Sequence, residues 1–231
     1  MKFMSFNTQH CLAYLEGKIN FDVIADAIKK VDPDVVGFQE MRNVGPNEEY
    51  TDQTRILSEK TGLSHLYFGK AIDFEFGPYG NSLISRYPIL SAQTISIPDP
   101  NPKTGNKYYE TRAVLKVVLE QGITVLVTHF GLNEDEQINA VKTVVENLEK
   151  EKCILMGDFN LRPDSPLLLP IRERMKDTAS VFCEELLSYP SDKPRVKIDY
   201  IFVSPDVEII SADIPAIVAS DHRPHTAELK L

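Results

Sequence analysis

Short apolar runs that stop at a polar side chain recur along the chain, and they limit what it can fold into. VVGF (35–38) leads into Gln39 and Glu40, ITVLVT (123–128) into His129, and ILMG (154–157) into Asp158. Runs of this length, rich in Val and Ile, are typical of buried strands. A buried strand does not readily carry a charge in its middle, so the charge falls at its end, where a cleft can solvate it. In α/β sheets the strand ends are also where ligands bind.

The remaining periodicity fills in the order of elements. Lys2–Asn7 reads as a strand ending on Asn7. Ile19–Val31 reads as a helix, with Ile19, Val23, Ala27 and Ile28 at helical spacing and Asp32-Pro33 as its stop. Asp34–Gln39 is a strand, and Thr51–Thr61 a second helix closed by Gly62. Strands are expected at His65–Ile72, Asn81–Ser85, Ala92–Ile97, Thr111–Glu120 and Gly122–Thr128. An amphipathic helix over Glu134–Lys150 follows, then strands at Cys153–Met156, Ile198–Val203, Val207–Ile214 and Thr226–Leu231. Strands that follow one another without a helix between them predict hairpins alongside βαβ units. The expected architecture is one α/β domain over residues 1–231, with two packed sheets and helices outside; no repeat or linker interrupts it.

Composition narrows the class of protein. With 42% hydrophobic and 26% charged residues over 231 positions, disorder is excluded. The excess of 34 acidic over 25 basic side chains, a net charge of −9, argues against a general nucleic-acid coat, which needs a basic face. It leaves room for an acidic pocket that binds a cation. Cys11, Cys153 and Cys183 are odd in number and show no CxxC or zinc spacing, so they read as three reduced thiols in a reducing compartment. The N-terminal apolar stretch is broken by Ser5, Asn7, Gln9 and His10, unlike a signal peptide. No stretch approaches the ~18 apolar residues of a membrane helix. A cytoplasmic protein with no membrane partner and no obligate protein partner is expected.

The polar residues at strand ends form a chemically specific set. Asn7, Glu40, His129, Asp158 and Asn160 follow apolar runs, Asp199 sits inside VKIDYIFV, and Asp221-His222 precede the last strand. Carboxylates with two histidines and two asparagines make an oxygen-rich group suited to a hard cation such as Mg²⁺ or Mn²⁺ rather than to zinc. A hard cation held this way is the one phosphoryl chemistry uses. The Asp158-x-Asn160 spacing puts both side chains on one side of an extended segment. Asp221 and His222 are adjacent, so a different carboxylate must buttress the imidazole, and Asp199 is the candidate. Taken singly, His10, His65 and His225 read as loop or surface histidines.

The ordered set FNTQ (6–9), FQE (38–40), GNSLISRYP (80–88), ETRAV (110–114), THF (128–130), GDFN (157–160), KIDYIF (197–202) and SDHRP (220–224) resembles the endonuclease/exonuclease/phosphatase superfamily, in its compact bacterial form. The resemblance spans residues 3 to 227. It implies a four-layer α/β sandwich of two packed mixed β-sheets flanked by helices. It further implies that Glu40 is the principal metal ligand, with Asn7 and Asp221 helping to hold Mg²⁺ or Mn²⁺. Asp158 would orient or deprotonate the attacking water, Asn160 and His129 would contact the phosphoryl group, and His222, its tautomer fixed by Asp199, would stabilise the transition state. Asn81 and Arg112 would support the site or contact substrate. Two positions depart from the family pattern: Phe130 and Gly131 stand where an Asp often follows the histidine, and His225 stands where an apolar residue is usual. The His225 change reads as a harmless one at a strand edge.

Substrate choice falls to the loops. Asp99–Glu110 offers Lys107 and Tyr109 to touch phosphate or stack on a ring, or else forms a flexible solvated hairpin. Residues 161–197 hold the densest basic stretch: Arg162, Arg172, Arg174, Lys176, Lys193, Arg195 and Lys197. Glu48, Glu49, Asp73 and Glu75 in rim loops would repel a long polyanion. The expected activity is metal-dependent phosphoester hydrolysis on a small molecule or short nucleic acid. The alternatives are a repair-type DNA endonuclease or exonuclease, a catalytically idle binding member of the same fold, and an unrelated carboxylate-pair glycoside hydrolase, which would work without a divalent cation.

Overall fold

The computed structural model of the chain describes residues 1–48, 50–74 and 77–231, so Glu49 and Glu75 lie outside the described residues. Its strands are β1 (Lys2–Asn7), β2 (Leu12–Ala13), β3 (Lys18–Ile19), β4 (Val35–Arg42), β5 (His65–Phe74), β6 (Gly77–Ser85) and β7 (Ile89–Ser96). They continue with β8 (Ala113–Leu119), β9 (Thr124–His129), β10 (Cys153–Asp158), β11 (Lys176–Asp177), β12 (Asp199–Val203), β13 (Glu208–Asp213) and β14 (His225–Lys230). The helices are α1 (Phe21–Val31), α2 (Gln53–Thr61), α3 (Glu134–Asn147) and the single-turn α4 (Leu169–Arg172).

Two six-stranded sheets carry the fold, in the orders β13-β14-β1-β4-β6-β5 and β11-β12-β10-β9-β8-β7. Each is mixed, with one parallel pair at its centre: β1 with β4 in the first, β9 with β10 in the second. The sheets pack face to face through Phe3, Val35, Leu83, Val125, Met156, Ile201 and Leu229, all but fully buried. The outer face of the first sheet is covered by Ile24 and Ile28 of α1 and Leu57 of α2. The outer face of the second is covered by Ala140 and Val144 of α3 and Ile171 of α4. This is the expected four-layer α/β sandwich.

The helices start and stop where local chemistry directs. The Asn20 side chain accepts from the Asp22 and Val23 amides, so α1 begins at Phe21 and not at Ile19. Ile19 fits the helical spacing but pairs with Leu12 in a two-stranded ribbon. Asp52 caps α2 by accepting from the Arg55 amide, and Gly62, at φ 78°, closes it. Helix α3 ends at Asn147, short of Lys150, because Leu148 turns to extended backbone while remaining packed on the outer core. One correction concerns a polar residue. His225 is no surface residue: it is fully buried, with Nδ1 3.2 Å from the Asp199 carbonyl and Nε2 3.0 Å from Thr178 Oγ1. The cysteines are all unpaired, Cys11 and Cys153 buried and Cys183 exposed. Among the described residues, no helix is long and apolar enough to cross a membrane.

Candidate active site

Period-two alternation carries one face of each strand from the apolar space between the sheets into a polar cluster at one end. Phe3 leads to Asn7, Val127 to His129, Met156 to Asp158, and, running the other way, Ile201 leads to Asp199 and Leu83 to Asn81. Register completes the convergence. Asp158 lies opposite His129 across the parallel β9–β10 pair and opposite Asp199 across the antiparallel β10–β12 pair. Gly157, just before Asp158, has to be glycine: an added Cβ would lie 2.0 Å from the Thr128 carbonyl oxygen.

Glu40 reaches the cluster by an irregular route. Its neighbour Gln39 occupies the inward-facing position of β4, continuing from Val35 and Gly37. The β4–β6 register shifts between Phe38 and Met41, and Glu40 takes φ 63°. That bulge turns the carboxylate toward Asn7, whose Nδ2 donates to Glu40 Oε1 at 3.0 Å and to Asp158 Oδ2 at 3.1 Å. A single amide thus spans two carboxylates from different sheets.

Asp158 is buried and surrounded by donors. Its Oδ1 accepts from the Asn160 amide at 2.9 Å, a local turn that suits the left-handed φ of 49° at Asn160. Its Oδ2 lies 3.4 Å from His129 Nε2 and 3.6 Å from His222 Nε2. Burial pushes the Asp158 carboxyl upward from the usual carboxylate range, against the pull of His222. His222 Nδ1 sits 2.8 Å from Asp199 Oδ2. Burial opposes charge on this imidazole, but Asp199 and Asp158 outweigh it and raise its pKa to about 10, which favours the imidazolium form. Asp199 Oδ1 is buried with no hydrogen-bond partner.

His129 is kept neutral. Burial first, then Arg112 and His222, hold it well below the usual histidine range. Arg112 Nη1 lies 3.0 Å from His129 Nδ1, and a guanidinium can only donate, so Nδ1 accepts and Nε2 carries the proton toward Asp158. Arg112 is itself fixed by Glu110 Oε1 at 2.6 Å. Asn81 Nδ2 donates to the Ala113 carbonyl at 2.9 Å, joining the first sheet to the second beside Arg112. Asn160 Nδ2 donates to the Phe130 carbonyl at 3.0 Å, alongside His129. Asp221 accepts from Ser220 Oγ at 3.0 Å, and burial, reinforced by the Glu40 and Asp199 charges, raises its carboxyl despite His222.

The structure therefore brings together Asn7, Glu40, Asp158, Asn160, Asp199, His129, His222 and Asp221, with Asn81 and Arg112 behind them. It does not bring Tyr109 into this group. The Tyr109 hydroxyl donates to Asp135 Oδ2 at 2.7 Å, and Lys103 Nζ sits 4.7 Å from its ring centroid. Lys107 is exposed on the loop 101–108 and lines an open cavity that also includes Asn160. Sequence reasoning gave no role to Glu110, or to Tyr79, which hydrogen-bonds Glu40 and is held well above the usual tyrosine range by burial and then by the Glu40 and Glu110 charges. Glu110 had a signal, standing two residues before Arg112; Tyr79 had none. Tyr189 was also missed, its ring 4.8 Å from that of His222.

Residues 4–222 match the sequence pattern of the Endonuclease/Exonuclease/phosphatase family. The chain belongs to that family. It is 24% identical over 232 residues to the uncharacterized protein YbhP of Escherichia coli (strain K12), covering 90% of this chain and 87% of YbhP. Its backbone is similar to an endonuclease/exonuclease/phosphatase from Beutenbergia cavernae DSM 12333, with a TM-score of 0.77 and 21% identity over 100% of this chain and 71% of that one. It is also similar to the mannosyl-6-phosphatase Bt3783 of Bacteroides thetaiotaomicron VPI-5482, with a TM-score of 0.76 and 15% identity over 100% of both chains. At these identities the structural likenesses establish the fold.

Proposed function

We propose that the protein is a Mg²⁺- or Mn²⁺-dependent hydrolase of small or short phosphoesters. The observation that carries this reading is the Asn7 amide spanning Glu40 and Asp158, next to the His222 imidazole paired with Asp199. Family membership and the existence of a mannosyl-6-phosphatase with this fold support the same chemistry.

The donor set fits a hard divalent cation. Asp158 and Asp221 are both pushed upward by burial, and the Glu40 charge bears on Asp221, so a cation here would relieve carboxylate crowding. Asp158, Asp199 and His222 each offer a ligand atom within 4.8 Å of the others. The Asp199–His222 bond already occupies two of those atoms, so Glu40 and Asp221, with the Asn7 side chain, are the better holders. When bound, the cation would supply Lewis-acid stabilisation of charge on the phosphoryl oxygens.

The chain's own residues supply the rest. Asp158, oriented through Oδ1 by the Asn160 amide, presents Oδ2 to take the proton of the attacking water. A carboxyl raised above its ordinary range is a better base near neutral pH. His222, held charged by Asp199, and His129, donating from Nε2, place positive and polar groups where negative charge grows on phosphorus. Asn160 orients the phosphoryl group between them.

Several of the basic residues at 162–197 are tied to backbone carbonyls, which lessens what this stretch offers a long polyanionic substrate. Arg172 donates to the Pro163 carbonyl, Lys176 to the Pro205 and Val207 carbonyls, and Lys197 is buried, donating to the Asp199 carbonyl. The test is a panel of phosphomonoesters, phosphodiesters and duplex DNA, assayed with Mg²⁺, with Mn²⁺ and with EDTA. Metal-dependent release from small esters is expected, and Asp158→Asn and His222→Ala should each lower turnover by about 10²–10⁴-fold with the fold intact. Absence of hydrolysis with either metal across the panel overturns the reading, and efficient cleavage of duplex DNA alone overturns the substrate class.

A further inference from the structure

Beside the candidate site lies an open cavity of about 460 Å³, with Asn160 in its lining. That size falls within the roughly 300–1,000 Å³ of small-molecule sites. Its floor is the start of α3 and its wall is the segment 104–107. The wall is held in place. Thr104 N and Oγ1 and the Tyr109 hydroxyl all donate to Asp135 Oδ2, at 2.8, 3.1 and 2.7 Å. Asn133 accepts from the Lys107 amide at 2.8 Å and donates to the Lys107 carbonyl at 3.2 Å. The Glu110 amide donates to Glu136 Oε1 at 3.2 Å. A loop pinned at this many points forms a cavity wall without paying ordering entropy when a ligand arrives.

The lining selects the chemistry of the occupant. Asn106, Lys107 and Glu134 line the cavity from exposed positions, and the bonds that fix the loop engage the backbone of Lys107, not its side chain. Together they offer both donors and acceptors, as hydroxyl groups require. Leu132 is the one large apolar side chain among the described lining residues. Glu134 and Asp135 against the single Lys107 disfavour a second anionic group. No aromatic ring is among the described lining residues; of the two tyrosines that follow the wall segment, Tyr109 is tied through its hydroxyl to Asp135 with Lys103 over its ring, and Tyr108 is exposed outside the lining.

We infer that this cavity is the leaving-group subsite and that it takes a neutral, hydroxyl-rich group, a sugar or polyol, whose phosphate is seated at Asn160. The inference rests on the hydrolase reading and names its substrate class. Asn106 and Glu134 are the residues that read the hydroxyl groups.

Glucose 6-phosphate, ribose 5-phosphate and glycerol 1-phosphate are assayed with Mg²⁺ against AMP and p-nitrophenyl phosphate. The best of the three hydroxyl-rich esters should exceed p-nitrophenyl phosphate in kcat/KM by about tenfold or more. Asn106→Ala and Glu134→Ala should each cut that ratio about tenfold, the worth of one well-made hydrogen bond to a bound hydroxyl. Preference for AMP or p-nitrophenyl phosphate, or an unchanged ratio in both variants, overturns the assignment while leaving the hydrolase reading intact. If no ester is hydrolysed, the hydrolase reading fails by itself. Calorimetric titration of the protein with the same three esters then decides the cavity: binding weakened in both variants upholds it, and no binding to wild type overturns it.

Discussion

Around Asp158, burial and charge act in opposite directions. Loss of water raises its carboxyl, and the imidazolium of His222 lowers it. His222 in turn keeps its proton because Asp199, 2.8 Å away, outweighs the burial of the ring. The pair depends on a single oxygen, Asp199 Oδ2, since Oδ1 has no hydrogen-bond partner. Replacing that carboxylate by an amide removes the charge while keeping the shape. Asp199→Asn should therefore fold normally, checked by its thermal melt, and lose about 10²–10⁴-fold in kcat, as when the orienting carboxylate of a catalytic histidine is neutralised. Turnover within twofold of wild type would remove Asp199 from its orienting role. Elsewhere, burial raises the thiols of Cys11 to about 12 and Cys153 to about 11, so neither is a nucleophile at neutral pH.

At the scale of elements, the bulge in β4 is what delivers Glu40. A non-glycine residue at φ 63° carries backbone strain on the order of 1 kcal/mol, and such strain persists where the surrounding structure imposes it. Here the surroundings are the shifted β4–β6 register and the Asn7 amide. Glu40→Gly removes the strain and one carboxylate from a crowded group. It should raise the free energy of unfolding by on the order of 1 kcal/mol, read by urea titration of the metal-free protein, while abolishing metal-dependent turnover. A variant that is both less stable and active would show that the bulge serves neither purpose. The expected outcome is a stability–function trade-off confined to one turn of chain.

At the scale of the whole molecule, the inter-sheet space changes from apolar to polar along its length, and His225 lies within it. Burial, followed by the nearby charge of Lys197, lowers its pKa from the ordinary 6.5 to about 3. In the unfolded chain the ring takes up a proton near pH 6.5, whereas the folded protein resists protonation until about pH 3. Between those values the unfolded state binds more protons, so stability falls as pH falls. This single group should cost about 2 kcal/mol between pH 7 and pH 5. Urea midpoints of wild type and His225→Gln at the two pH values measure it. The loss on acidification should be smaller in the variant, and equal losses would remove His225 as the cause.

The sequence by itself determined the local elements, the polar residues that end the strands and the order of motifs that places the chain in its family. All of these follow from period and composition within a few residues. The residues Asn7, His129, Asp158 and Asp199 were legible for the same reason: each continues the alternation of its own strand past the apolar core. Tertiary structure decided what alternation cannot encode. Glu40 lies off the inward phase of β4 and reaches the site only through a register shift set by β6. His225 looks like a strand-edge residue in the chain, yet lies under Thr178 and the Asp199 carbonyl once three distant segments pack. Tyr109 looks available for a ligand until Asp135, from the start of another helix, takes its hydroxyl. Contacts between segments far apart in sequence depend on sheet register and layer packing, and those quantities exist only once the two sheets have come together.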